Sequence, residues 1–414
     1  NSFTTYELEE LTISILHLFE DFNDIMPKIL SEPDYEENLF NYTKNIITIP
    51  LLNFDEDTLD DLIEETMEIF YTTMIPRRSW PTTFIMEDKI NIEEIEKKIL
   101  CLQLKPQPQQ KTPEWYEFRH NLITASNAYK AFESDSNRNQ LIFEKCCPID
   151  TTKFSFVNVN SPLHWGQKYE PVSVMFYEHH YKTKIADFGC IQHPKYPFIG
   201  ASPDGININK TTGRYGRMLE IKNIVNREIN GIPKKEYWIQ TQLQMEVCDL
   251  DTCDFLETHF IEYENFTEFN DDGKFTKSVL NEYKGVIMYF SKAGNPFYVY
   301  MPFTINTIDA MEKWESEMRA KYVEYTWFKN IFWKLESFSC VLIERNFYWF
   351  EKNIECLEKL WDIVLKERET CFSHRAPQKR TFKKLDAENI GIQGKSVKGC
   401  LLKINKESGK IELI

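Results

Sequence analysis

Three residues in the middle of the chain, Asp204, Glu220 and Lys222, are of the types and at the spacing that can hydrolyse a phosphodiester bond. Glu220 and Lys222 stand two apart in Leu219-Glu-Ile-Lys-Asn223, a stretch that reads as a strand. Both side chains therefore leave one face of a sheet, while Leu219 and Ile221 point into a core. Asp204 lies in Gly200-Ala-Ser-Pro-Asp-Gly205, where Pro-Asp-Gly marks a tight turn sixteen residues before Glu220. A hairpin of the two strands brings Asp204 beside Glu220. Two carboxylates can hold Mg2+, a hard ion that prefers oxygen ligands. Such an ion acidifies a water and neutralises phosphate charge. Lys222 can orient the water and stabilise the charge that develops on the phosphate, and the backbone carbonyl of Ile221 is a further candidate metal oxygen. Each piece alone is common, since Pro-Asp-Gly is a frequent turn and Glu-x-Lys on a strand is usually a solvated face. Their order and spacing together carry the reading.

Around these residues the pattern predicts strands over 184–192, 198–208 and 217–224, punctuated by Gly200, Gly205 and Gly213. Residues 114–129 read as helix, in two short pieces, and 237–247 as another. Strands follow over 255–263, 286–290 and 297–303. This is an α/β layering, a central mixed sheet flanked by helices. Ahead of it, Leu11, Ile15, Leu18 and Phe19, and then Leu59, Leu62, Ile63, Met67 and Phe70, recur at helical spacing. Lys105-Pro-Gln-Pro-Gln-Gln-Lys-Thr-Pro113 holds three prolines in nine residues and reads as a linker. Residues 307–370 read as long helices. The expected organisation is an acidic helical N-terminal domain (1–104), the α/β core (112–305), a helical C-terminal part packing on the core (306–374) and a basic tail (375–414).

With 42% hydrophobic and 14% aromatic residues in 414, wholesale disorder is excluded. No apolar run reaches the ~18 residues of a membrane-crossing helix, and the first ten residues lack the pattern of a signal peptide. The chain is expected to be intracellular and without a membrane partner. Its ten cysteines form no CxxC pair, which points to reduced thiols and to neither a zinc site nor an iron–sulfur cluster. The net charge of −15 seems wrong for a protein that binds DNA. However, residues 1–100 hold 23 acidic and 7 basic groups, so the other 314 residues sum to +1, and 375–414 hold 10 basic and 4 acidic. The acidity belongs to the front segment, read as a solvated helical face or, more sharply, as a partner-binding or DNA-mimicking arm.

The motif Asp204…Glu220-Ile221-Lys222 resembles that of the PD-(D/E)XK nucleases, and its surroundings resemble the lambda-exonuclease/YqaJ-type viral recombinase family, large-DNA-virus type. Trp115-Tyr116…Arg119…Ile123-Thr-Ala-Ser126 is similar to that family's first motif, and His164-Trp-Gly-Gln-Lys-Tyr-Glu170 to its second, Gly-x-x-x-Glu. Tyr237-Trp-Ile-Gln-Thr-Gln-Leu-Gln-Met245 is similar to its glutamine-bearing helix. The resemblance implies a restriction-endonuclease-like core with helical N-terminal and C-terminal additions. It implies a Mg2+-dependent DNA exonuclease, with Mn2+ as a substitute, acting 5′→3′ on duplex ends in viral DNA recombination or repair within the infected host cell. Asp204, Glu220 and Glu170 would serve the metal, Lys222 would be the catalytic lysine, and Gln240 the active-site glutamine with Gln242 as the alternative. Arg119, Ser126 and Ser202 would form the pocket of a terminal 5′-phosphate, for which Arg is a bidentate clamp and Ser a hydroxyl donor. Partners implied are DNA, further copies of the chain as a dimer or trimer, and a single-strand annealing protein. Two other readings stand beside this one: a structure- or strand-specific endonuclease of the RecB-like or CRISPR-adaptation type, and a non-catalytic DNA-binding scaffold. Trp115 and Trp165 read as core, and His164, His179 and His180 as non-ligands, because no Cys or His partner stands at ligand spacing.

Overall fold

The computed structural model describes residues 4–48, 56–80, 91–110, 112–149, 158–159 and 161–377, and the backbone of 402–404 and 411–413. Residues 1–376 form one compact unit, and the boundaries expected near 104 and 306 fall inside it. A second unit, from Pro377 on, contains an antiparallel pair, Leu402–Ile404 with Ile411–Leu413. Most of the basic tail lies outside the described residues.

The N-terminal segment folds into helices α1 (Thr5–Ile25), α2 (Tyr35–Thr48), α3 (Glu56–Thr73) and α4 (Ile92–Leu104). Thr4 opens α1 through a capping box, its hydroxyl accepting from the Glu7 N–H while the Glu7 carboxylate takes the Thr4 N–H. The apolar stripes predicted at Ile15 and Phe19 and at Ile63 and Phe70 are fully buried. They join the same hydrophobic cluster as Trp238, Leu243 and Trp349 of the α/β part. Full burial of such side chains stabilises by about 1.5–3 kcal/mol each.

The central sheet has seven strands in the order β2 (Ile185–Ala186), β5 (Gly205–Asn207), β6 (Met218–Ile224), β7 (Thr252–Glu262), β10 (Thr326–Glu344), β8 (Lys284–Lys292) and β9 (Asn295–Tyr300). Only β6 and β7 run parallel; the other pairs are antiparallel. A smaller sheet joins β1 (Ile123–Thr124), β4 (Ile199–Ala201) and β3 (Ile191–Gln192), with β1 parallel to β4. Helices α5 (Pro113–His120), α6 (Ala125–Ala128), α7 (Asp135–Cys146), α8 (Pro162–Tyr181), α9 (Lys235–Cys248), α10 (Phe266–Asp271), α11 (Ile308–Lys321) and α12 (Phe347–Glu369) surround the sheets. The expected α/β class, a mixed sheet flanked by helices, is the one adopted.

The region read as continuous long helices departs from that reading. Between α11 and α12 lies β10, a strand of nineteen residues that pairs with β7 along one part of its length and with β8 along another. Thr326, Trp327, Phe328, Ile331, Phe332, Val341 and Ile343 are β-branched or aromatic and favour this pleated, half-buried surface over a helix. Among the described residues, no helix is long and apolar enough to cross a membrane.

Candidate active site

Strand alternation and one turn assemble the three central residues. Gly205 pairs with Leu219 across the β5–β6 ladder, so Asp204, one residue before β5, lies across from Glu220. The Asp204 N–H donates to the Leu219 carbonyl (3.1 Å), and the Ile221 N–H donates to the Asp204 carboxylate (2.7 Å). Leu219 and Ile221 pack with Tyr169 and Phe176 of α8, leaving Glu220 and Lys222 on the opposite face. There the Lys222 ammonium donates to Glu220 Oε1 and lies 4.9 Å from the ring centre of Tyr237.

Glu220 is only 1% exposed, and an unpaired carboxylate there would be costly. Besides Lys222 it receives two amides from α9: Gln240 Nε2 donates to Oε1 and Gln244 Nε2 to Oε2, each at 2.6 Å. Gln240 Oε1 in turn accepts from Lys222 (3.1 Å). Gln242 points elsewhere; it donates to the Glu344 carbonyl (2.9 Å) and accepts from the Asn346 N–H (2.7 Å), fixing the passage from β10 to α12. Gln244 is a site residue that the motif reading missed. It stands four residues after Gln240 and so shares its helix face, the spacing that could have found it. Its Nε2 also lies 3.2 Å from the Ser202 carbonyl, which ties the Asp204 turn to α9.

Glu170 is exposed on α8 and lines, with Ser202 and Asp204, a cleft of about 800 Å3. Burial, and then the negative charges of Glu220 and Glu170, push the Asp204 carboxyl well above the usual carboxylate range. Burial works to lower the pKa of Lys222, but Glu220 and Asp204 outweigh it and hold the ammonium above its ordinary range. Carboxylates that repel one another in this way suit a hard cation, which takes oxygen donors. The buried Gln244 Oε1, which has no hydrogen-bond partner among the described residues, is a further oxygen beside them. The donor set thus fits a divalent ion in kind. Among the described residues, no three acidic, histidine or cysteine side chains close around one point; Glu220 faces Lys222 and the two glutamines instead.

Of the residues expected to hold a terminal phosphate, Ser202 lines the cleft and Arg119 bonds to it. Thr124 and Gly200 are partners in the parallel β1–β4 pair, so Ser126 and Ser202, each two residues further on, leave neighbouring strand ends. Ser126 is exposed, with its hydroxyl 3.4 Å from that of Thr124. Arg119, near the end of α5, donates from Nη1 to the Ser202 hydroxyl (3.3 Å), and its guanidinium lies 4.6 Å from the Trp115 ring centre. Among the described residues it meets no carboxylate, so its charge is available to an anion. The end of α5 is capped from elsewhere in the fold: Lys145 donates to the Arg119 carbonyl (2.7 Å) and Arg368 to the His120 carbonyl (2.8 Å). The three histidines read as non-ligands have other neighbours. His164 bonds Tyr298 (2.7 Å), His179 stacks on Phe303, and His180 packs by Phe176 and Phe338.

Residues 114–251, the span from α5 to the end of the glutamine helix, match the YqaJ-like viral recombinase domain. An uncharacterized protein of Acanthamoeba polyphaga mimivirus is 28% identical over 388 residues, covering 84% of this chain and 67% of that protein. Among solved structures, an alkaline exonuclease from Laribacter hongkongensis is similar at 19% identity and a TM-score of 0.34, covering 64% of this chain and 95% of that one. A phage-related exonuclease from Haemophilus somnus is similar at 12% identity and a TM-score of 0.32, covering 61% and 96%. Residues 114–251, the span that holds Arg119, Glu170, Asp204, Glu220, Lys222 and the glutamines of α9, carry the match to the YqaJ-like viral recombinase domain.

Proposed function

We propose that the chain is a Mg2+-dependent DNA exonuclease that removes nucleotides 5′→3′ from duplex ends during recombination or repair of viral DNA in the infected cell, with Mn2+ able to substitute. The observation that carries this reading is the convergence of Asp204, Glu220 and Lys222 at the β5–β6 pair, inside the YqaJ-like segment. Asp204 and Glu220 would hold the ion, with Glu170 as a further acidic group and the Ile221 carbonyl as another oxygen. When bound, the ion supplies an acidified water and a counter-charge to the phosphate.

The remaining work belongs to the chain's own residues. Lys222, kept charged by its two carboxylate neighbours, orients the attacking water and stabilises charge developing on the phosphate oxygens. Gln240 bridges Lys222 and Glu220 and fixes both side chains. Arg119, Ser202 and Ser126 bind a terminal 5′-phosphate, and this favours attack at chain ends over internal bonds. A guanidinium at Arg119 that meets no carboxylate among the described residues supports this exonuclease reading over the structure-specific endonuclease.

The test is digestion of a linear duplex labelled at either end, with 5′-phosphate or 5′-hydroxyl termini, in Mg2+ and in EDTA. We expect metal-dependent loss from 5′ ends. Lys222→Ala should lower the rate by about 10²–10³ or more while DNA binding persists. Arg119→Ala should lose the preference for phosphate. Internal cuts or cleavage of circular DNA would favour the endonuclease; absence of cleavage with any metal would favour a scaffold.

A further inference from the structure

The proline- and glutamine-rich segment that reads as a linker runs along the catalytic cleft. Gln107, Gln109 and Gln110 line the same cavity as Asp204 and Glu170. The segment is pinned at both ends. Gln107 Oε1 accepts from the Gly189 N–H (2.6 Å) and its Nε2 donates to the Leu102 carbonyl (2.8 Å). The Gln109 carbonyl accepts from the Thr112 hydroxyl (2.8 Å) and N–H (3.3 Å). Gly189 lets the strap sit close, since a Cβ there would lie 3.0 Å from Gln107 Cβ. Pro108 fixes the backbone between the anchors, and Pro106 fixes it just before the first.

The charge of the cleft explains why such a strap would be useful. Besides Asp204 and Glu170 its lining includes Glu178 and Asp187, and its cation Lys184 is already paired with Glu178 at 2.9 Å. A polyanion entering this space meets repulsion and needs uncharged donors. The exposed amides of Gln109 and Gln110 have no hydrogen-bond partner among the described residues. Glutamine amides are among the groups that position nucleic-acid backbones.

We propose that residues 105–110 form a fixed guide for the strand to be cut, with the side-chain amides of Gln109 and Gln110 hydrogen-bonding its backbone on the way to Asp204. This rests on the nuclease reading. The test compares the full chain with the double variant Gln109→Ala/Gln110→Ala and with Gln107→Ala, which frees the strap from Gly189. The readouts are steady-state cleavage in Mg2+, anisotropy of fluorescently labelled DNA without metal, and thermal melting. Loss of two neutral hydrogen bonds should raise KM and the anisotropy Kd about five- to twentyfold, with kcat within about twofold and the melting temperature unchanged. The slope of log Kd against log salt should stay as in the parent, because an amide releases no counterion. Unchanged Kd in the double variant, or a loss confined to kcat, would overturn the proposal. A changed salt slope would also overturn it, showing that the strap acts through the acidic helices. If the parent binds DNA without cutting it, the nuclease reading fails, and the anisotropy comparison still decides the strap.

Discussion

At the scale of single residues, the catalytic question is how the oxygens of the buried Glu220 are satisfied. Its oxygens are served by one ammonium and two amides, and removing any of these leaves a buried acceptor short by about 1–3 kcal/mol. Gln244→Leu should therefore lower the single-turnover cleavage rate by about tenfold to a hundredfold. Gln242→Leu, which breaks the β10–α12 junction, should lower the melting temperature and spare the rate. Equal rates in the Gln244 variant and the parent would remove Gln244 from the site. Asp204, Glu220 and Lys222 were legible in the sequence because a period of two and a Pro-Asp-Gly turn fix where side chains point. Gln244 was legible only through its spacing from Gln240, because α9 is buried on nearly every side and has no polar face from which to orient its glutamines.

A second residue-scale prediction concerns pH. Burial, and then the charge of Arg119, push the Lys145 ammonium down to about 7. Glu144 opposes this shift, while Arg368 adds to it and Cys190 opposes it more weakly. Below pH 7 the bond to the Arg119 carbonyl is charge-assisted; above it a neutral amine makes a weaker one. Preference for 5′-phosphate over 5′-hydroxyl ends should fall as pH rises from 7 to 8.5, a range in which the terminal phosphate (second pKa about 6) is already dianionic. Lys145→Arg should flatten that profile. A pH-independent preference in the parent would sever Lys145 from the phosphate site. The stability sign is separate: the folded chain binds fewer protons than the unfolded one between pH 7 and the ordinary lysine range, so stability rises with pH across that window and levels off below it.

At the scale of elements, close backbone approach sets where the Asp204 turn can lie. Gly200 on β4 has no room for a side chain: a Cβ there would lie 2.6 Å from Leu122 Cδ1 and 3.2 Å from the Ile191 carbonyl. One at Gly205 would fall on Ile185 Cγ2. Gly200→Ala and Gly205→Ala should each cost about 1–3 kcal/mol by overpacking, read from the midpoint of urea unfolding. The loss of cleavage should exceed what the remaining folded fraction explains, because both positions flank Asp204. A stable alanine variant with full activity would refute this. The strands around the turn were readable from alternation and glycine punctuation, whereas β10 was not. Its register shifts at Trp327/Lys329 and at Leu335/Ser337 interrupt the period of two. Charged residues such as Lys334 and Glu336 break the apolar run further, which left a pattern that reads as helix.

At the scale of the whole molecule, the acidic helices and the α/β part share one interior. Ile15, Phe19, Ile63 and Phe70 lie in one cluster with Trp238 and Trp349. Polar ties cross the same seam: the Trp238 indole donates to the Arg78 carbonyl (3.2 Å), Lys352 pairs with Asp24 (2.6 Å), and Trp80 bridges to Leu342 of β10 through two backbone hydrogen bonds. The net charge of the front segment suggested a solvated face or a partner-binding or DNA-mimicking arm, and composition alone could not show that its apolar stripes are core. With about 1.5–3 kcal/mol for each large side chain buried, a handful of these contacts matches a typical total stability of about 5–15 kcal/mol. Residues 1–376 should therefore unfold in one cooperative transition, with coincident fluorescence and circular dichroism midpoints. A chain starting at residue 105 should lose that transition and expose apolar surface to a hydrophobic dye. If the shortened chain instead melts cooperatively near the parent's midpoint, the helices are an appendage after all, and the DNA-mimicking reading can be tested by its DNA affinity at low salt, where surface charge acts over the longest range.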